Sequence, residues 1–227
     1  MTTTLITGAN RGLGKETARQ LTAAGHTVYV GARDEDSGRA VADELGARFV
    51  RLDVTDDASV AAAFAQVETD GGFDVLVNNA GIGLLALNGP DALKVFDTNA
   101  VSVVRVTEAA LPLLRKSANP VVVNVSSALG SFAANHDPSR PASQVSAIVY
   151  GASKAAVSML TVQYARAVPE VRFNAVEPGY TATEFGGQEN PLGRPVEISA
   201  GNIVRMATIG PDGPTGTFQE DDGELGW

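Results

Sequence analysis

Short apolar runs alternate with longer amphipathic stretches along the 227 residues. "TTLIT" (3–7) is β-branched and apolar and predicts a strand; glycines follow, then a helical pattern to Ala24. The alternation continues with strand 27–32, helix Ser37–Leu45, strand 48–54, helix Ala58–Glu68 and strand 73–81. One long helix is predicted over Leu93–Leu114, then strand 120–127, helix Tyr150–Ala167, strand 171–179, a short helix Ile198–Thr208 and a last strand 215–218. Strands this apolar are buried on both faces, so the pattern predicts an α/β protein: a doubly wound parallel sheet, one domain spanning residues 1–227. Segments 128–148 and 186–197, rich in Ser, Pro, Asn or Gly, read as loops that border a pocket or simply lie on the surface.

On such sheets ligands bind beyond the carboxyl ends of the strands. The residues predicted there are Gly8, Ala32, Arg33, Asp53, Asn79, Ser126, Ser127 and Pro178. Composition narrows the choice of partner. A net charge of −9 argues against nucleic acid or an anionic membrane. The chain has no cysteine, no signal-like start and no membrane-length apolar run, so a cytoplasmic protein without thiol or metal chemistry is expected.

"TGANRGLG" (7–14) stands between the first strand and the first helix. Gly8, Gly12 and Gly14 allow a tight turn, and the amides that open the helix (with Asn10, Arg11 and Leu13) suit a pyrophosphate. The spacing is G-x-x-x-G-x-G rather than G-x-G-x-x-G. The end of the second strand decides the nucleotide. An acid there would hold the ribose hydroxyls of NAD; here Ala32 is followed by Arg33, and Arg11 lies in the turn. Two guanidinium groups favour the extra phosphate of NADP(H). Asp34 would oppose that if the register shifted by one.

In "VYGASKAAV" (149–157), Tyr150 and Lys154 are four apart and share one helix face. Taken in order, Thr7-Gly8-x-x-x-Gly12-x-Gly14, Asp53, Asn78-Asn79-Ala80-Gly81, Asn99, Ser127, Tyr150-x-x-x-Lys154 and Pro178-Gly179 resemble the short-chain dehydrogenase/reductase family. The tail (213–227) is most similar to its carbonyl reductase branch, which reduces ketones and aldehydes with NADPH. The resemblance implies a Rossmann-type fold and roles residue by residue. Asp53, beside Val54, would meet the adenine amino group, and Asn79, Ala80 and Gly81 would line the adenosine ribose. Asn99 would hold a water leading from the lysine to solvent. Ser127, or Ser126 if the register slips, would bond the substrate carbonyl. Pro178, Gly179, Thr181 and Thr183 would pack on the nicotinamide, with Thr181 polar where an aliphatic residue is usual.

Reduction needs a positioned hydride, a stabilised oxygen and a proton. Tyr150 is the expected proton donor, and the Lys154 cation one turn away is expected to lower the phenol pKa from about 10. Lys154 would also hold the nicotinamide ribose. The substrate is expected to be a small carbonyl compound, with Ile82, Leu84, Leu85, Leu129, Tyr180 and Phe185 as candidate walls. The insertion 132–143 between Ser127 and Tyr150 leaves monomer or small homo-oligomer open. His136 and His26 are expected to be a solvated and a structural histidine. Two other readings stand beside this one: an NAD-dependent alcohol dehydrogenase of the same fold acting on a sugar or steroid, and a non-catalytic NADP-sensing module.

Overall fold

The computed structural model describes residues 1–83, 88–183 and 192–227. The elements are β1 (Thr3–Thr7), α1 (Gly12–Ala23), β2 (Thr27–Ala32), α2 (Glu35–Leu45), β3 (Arg48–Arg51), α3 (Asp57–Thr69) and β4 (Val75–Asn78). There follow α4 (Gly89–Phe96), α5 (Ser102–Leu114), β5 (Val121–Val125), α6 (Phe132–His136), α7 (Ile148–Ala167), β6 (Arg172–Val176), α8 (Val196–Ala207), β7 (Thr217–Glu220) and β8 (Gly223–Glu224). They form one sheet in the order β3-β2-β1-β4-β5-β6-β7-β8. All pairs are parallel except the terminal β7–β8 hairpin. This is the doubly wound parallel sheet that the alternation predicts, and the Rossmann-type fold that the resemblance implies.

Alternate side chains of each strand feed opposite faces. Leu5, Tyr29, Leu76, Val122 and Phe173 pack with Phe64, Val67, Val106, Ala110 and Leu114 of α3 and α5. Ile6, Val28, Val77, Val123 and Val176 pack with Ala18, Leu21, Val41, Ile203 and Met206 of α1, α2 and α8. Two buried asparagines lie in this apolar frame with their amides partnered. Asn78 Nδ2 donates to Asn124 Oδ1 (2.9 Å) and Thr107 Oγ1 (3.2 Å), and Asn124 Nδ2 donates to Thr161 Oγ1 (2.9 Å). Satisfied in this way, they tie β4 and β5 to α5 and α7.

The observed strands are shorter than the apolar runs suggest. The run 73–81 yields only Val75–Asn78, because the Asn79 and Ala80 N–H groups leave the ladder and donate to Thr7 Oγ1 at 3.0 and 2.9 Å. Runs 48–54, 120–127 and 171–179 also stop early, where the chain turns over the carboxyl edge. The helix expected over Leu93–Leu114 is instead two helices joined by a π-turn at Asp97–Val101, a feature frequent at functional sites. Segment 128–148 is not a loose loop. Ser131 Oγ donates to Gly226 O (2.6 Å), Ala133 N to Trp227 O (3.0 Å), and Arg140 is bidentate to Glu220 (2.9 and 2.7 Å). Among the described residues no helix is long and apolar enough to cross a membrane.

Candidate active site

The strand order reverses between β1 and β4, so the chain opens a crevice at their carboxyl ends. The glycine turn lies there. Gly8 and Gly12 have φ of +64° and +51°, a region that favours glycine. At Gly14 an added Cβ would sit 2.5 Å from both Asn79 Nδ2 and Gly8 O. Asn79 Nδ2 donates to Thr7 O (2.8 Å) and Gly8 O (3.1 Å), so this asparagine braces the turn. Helix α1 starts at Gly12 with no side-chain cap and no acid in its first turn. Its opening amides are therefore offered to an anion, and the residues present fit a dinucleotide pyrophosphate.

At the neighbouring edge a cleft of about 330 Å³ is lined by Arg33, Arg51, Asp53, Asp56, Ser59 and Ala62. Asp34, the possible competitor, is occupied elsewhere: it caps α2, accepting from Ser37 N (2.9 Å) and Ser37 Oγ (2.5 Å). Asn10 Nδ2 donates to that same Ser37 Oγ (3.0 Å), linking the glycine turn to the cap. Arg51 was not singled out from sequence. The pairing of Ala32 with Arg51 puts it one strand over from Arg33. Burial pushes the Asp53 carboxyl up, but Thr55 N–H and hydroxyl, with Arg33 and Arg105, hold it below its ordinary value. Val54 is in the core, and its carbonyl accepts from Arg105 (2.8 Å).

The second cluster lies past β5 and β6. Ser126, the alternative to Ser127, turns inward, bonded to Lys154 O and Ser158 Oγ (both 3.0 Å). Ser127 accepts from Leu129 N (3.2 Å) and hydrogen-bonds Tyr150. On α7, the buried Lys154 ammonium donates to Val125 O (2.7 Å) and lies 5.7 Å from the centre of the Tyr150 ring. Its pKa is lowered to about 8 by burial, with Glu177 opposing. Asn99, on the π-turn, accepts from Ile82 N (2.8 Å) and donates to Ile82 O and Ser153 Oγ (both 3.0 Å). Gly81 sits against this pair: a Cβ there would be 3.4 Å from Asn99 Oδ1 and 3.7 Å from Lys154 Nζ.

One expectation is not met. The Tyr150 pKa is not lowered by Lys154. Burial raises it first, Glu177 adds to the rise, and only the Ser127 hydrogen bond opposes. The lysine is engaged with Val125 O instead of the phenol. Tyr150 is therefore protonated at neutral pH, the form a proton donor needs.

Glu177 and Arg194 were also missed from sequence. Glu177 Oε1 accepts from Gly179 N (2.7 Å) and Oε2 from Ala128 N. Arg194 packs on Gly179 and donates to Pro178 O and to Ser199 Oγ (3.0 Å), pinning the turn that carries Thr181. The visible signal for Glu177 was an acid directly before Pro-Gly at the end of an apolar strand. Thr181 Oγ1 is bonded with Ser199 Oγ (2.7 Å), and Thr183 lies 3.6 Å from a Cβ position at Gly12, so both glycine-bearing turns meet. Of the expected walls, Ile82 and Leu129 are half-buried and Tyr180 is exposed; Leu84, Leu85, Phe185 and residues 186–191 lie outside the described residues. An apolar cavity of about 400 Å³ lies between segment 128–148 and α7, lined among others by Leu129, Phe132, Val145 and Ile148. None of Ser127, Tyr150 and Lys154 lines it. His136 is exposed with Nδ1 on Phe132 O (2.8 Å), and the burial-lowered His26 pairs with Thr4 Oγ1 (2.8 Å), as a surface and a structural residue.

A family model described as short chain dehydrogenase matches residues 2–191. The chain is 31% identical to (+)-neomenthol dehydrogenase of Arabidopsis thaliana over 94% of each chain. An NADPH-bound carbonyl reductase from chicken fatty liver superposes with a TM-score of 0.87, 28% identity and coverage of 100% of this chain and 99% of that one. The carbonyl reductase Sniffer of D. melanogaster gives 0.84, 25% and full coverage of both. The chain belongs to the short-chain dehydrogenase family and is an NAD(P)-dependent oxidoreductase.

Proposed function

We propose that this protein reduces a ketone or aldehyde with NADPH, Tyr150 giving the proton. The observation that carries the proposal is the convergence of Ser127, Tyr150 and Lys154 beyond β5, with Asn99 behind them. The glycine turn and the amides opening α1 would hold the pyrophosphate, with Asp53 and Val54 at the adenine and Asn79, Ala80 and Gly81 beside its ribose. Arg33, Arg11 and the newly found Arg51 would meet the 2′-phosphate, and the use of Asp34 Oδ1 as the cap of α2 supports that choice over NAD. The solved carbonyl reductase bound to NADPH supports the same choice.

Bound NADPH supplies the hydride. Ser127 Oγ and the Tyr150 hydroxyl, already bonded to each other, would hold the carbonyl oxygen between them. As charge grows on that oxygen, Tyr150 donates its proton and the alkoxide becomes an alcohol. Lys154 would leave Val125 O for the nicotinamide ribose hydroxyls, and its ammonium would then stabilise the phenolate left behind. Asn99 holds Ile82 and Ser153, and through a water would lead a proton back toward Tyr150. Pro178, Gly179, Thr181 and Thr183 would cover the nicotinamide.

The test is a screen of ketones, aldehydes and quinones for NADPH oxidation, repeated with Tyr150→Phe. The variant keeps the ring and loses the acid, so turnover falls by about two to four orders of magnitude while NADPH affinity holds. Turnover close to wild type would place the acid elsewhere.

A further inference from the structure

Beyond this reading, and resting on it, one acid at the site has no assigned role. We propose that Glu177 is a positioning residue whose carboxylate ties the Ser127 turn to the Pro178–Gly179 turn and sets its charge against Tyr150 and Lys154. Glu177 follows the buried strand segment Phe173–Val176, where an ionised carboxylate is costly without partners. Its partners are two main-chain N–H groups, Ala128 N and Gly179 N (2.7 Å), one from each turn. A single side chain thus spans from the residue after Ser127 to the residue after Pro178.

Its own backbone is held on both sides. Glu177 N donates to Gln219 O (2.8 Å), and Asn202 Nδ2 donates to Glu177 O (3.0 Å). The carboxylate therefore has little freedom to leave.

The charged groups that act on it come from four other places. Tyr150 and Lys154 act from α7, Arg194 from the stretch before α8, where it pairs with Asp221, Glu220 from β7, and Arg140 from segment 128–148, where it holds Glu220. Burial, with Glu220 adding to it, holds the Glu177 pKa above its ordinary value, against the opposing pull of the two N–H groups and Arg194. In its ionised form it favours the protonated phenol and the protonated ammonium together. Both are the forms that a proton donor and its neighbouring cation require in the reductive direction. A neutral side chain of the same size would brace the turns through one bond and supply no such bias.

The experiment compares wild type with Glu177→Gln, Glu177→Ala and Glu177→Asp. NADPH affinity is followed by cofactor fluorescence across pH, and kcat for reduction of a screened carbonyl is followed across the same range. For Glu177→Gln the alkaline limb of both profiles moves to lower pH by about one unit, and kcat at neutral pH falls about tenfold. Glu177→Asp keeps the charge and restores the limb even if kcat stays low. Should the Gln variant not fold by circular dichroism, Glu177→Ala takes its place with the same displaced limb expected. Profiles of the neutral variants that superimpose on wild type, whatever their absolute rates, overturn the proposal. Tyr150→Phe run in parallel separates the two ideas: turnover retained there sinks the catalytic reading, whereas the NADPH-binding profile needs no turnover and still reads Glu177.

Discussion

Removing Arg33 and Arg51 together tests the cofactor preference most sharply. Both are exposed at a cleft whose other polar walls include Asp53 and Asp56. A hydrogen bond to a charged group is worth about 1.5–3 kcal/mol, but exposure and salt reduce such a pair to about 1 kcal/mol. Two guanidiniums on one phosphate thus contribute about 2 kcal/mol, or about 30-fold in affinity. The variant also leaves Asp53 and Asp56 beside the 2′-phosphate with Arg11 as the remaining guanidinium of the three, which adds repulsion that NADH does not feel. Arg33→Ala/Arg51→Ala is therefore expected to lose about 30-fold or more in NADPH affinity, with NADH within about twofold. Arg33→Asp alone should shift the preference the same way. Dissociation constants for both cofactors, measured by fluorescence at two salt concentrations, decide the matter, and the salt dependence for NADPH should shrink with the arginines. An NADPH/NADH ratio unchanged in the double variant would refute this assignment of the cleft.

Gly14→Ala drives a methyl into Asn79 Nδ2 and Gly8 O, each 2.5 Å away. It should cost about 2–4 kcal/mol, read as a lower Tm together with lost NADPH binding; an unchanged Tm would contradict the packing. Lys154 gives a pH dependence with a definite sign. Its folded pKa, lowered to about 8 from 10.5, means the unfolded chain holds more protons between these values. Stability of the cofactor-free protein should rise across that window by up to about 3 kcal/mol, and Lys154→Met should flatten the rise in denaturant titrations at pH 8 and 10. NADPH bound in the same window should take up a proton, visible by calorimetry in buffers of different ionisation enthalpy.

Much of the fold was legible because parallel strands buried on both faces are spelled in β-branched residues, as in "VVVNV" (121–125). What the runs could not show was where each strand leaves the ladder. That is set by distant partners such as Thr7 Oγ1, which takes the N–H groups of Asn79 and Ala80. The π-turn at Asn99 was hidden for the same reason: the side chain that holds Ile82 and Ser153 looks from sequence like any polar helix residue. The turn glycines and the shared helix face of Tyr150 and Lys154 were readable from local spacing, and Ser127 only from the family resemblance. Arg51, Glu177 and Arg194 were not, since only strand pairing and the folding of the carboxyl edge bring them to the site. Electrostatics were the least legible part. Tyr150 and Lys154 share a helix face as expected, yet burial and Glu177 set the phenol, not the lysine.

The most direct measurement is a crystal structure with NADPH and a carbonyl compound bound. The Tyr150 hydroxyl should then lie within hydrogen-bond distance of the carbonyl oxygen, the carbonyl carbon should face the nicotinamide, and Lys154 Nζ should have moved from Val125 O to the ribose. A phenol pointing away from the substrate oxygen, or a lysine still on Val125 O, would contradict the proposed chemistry.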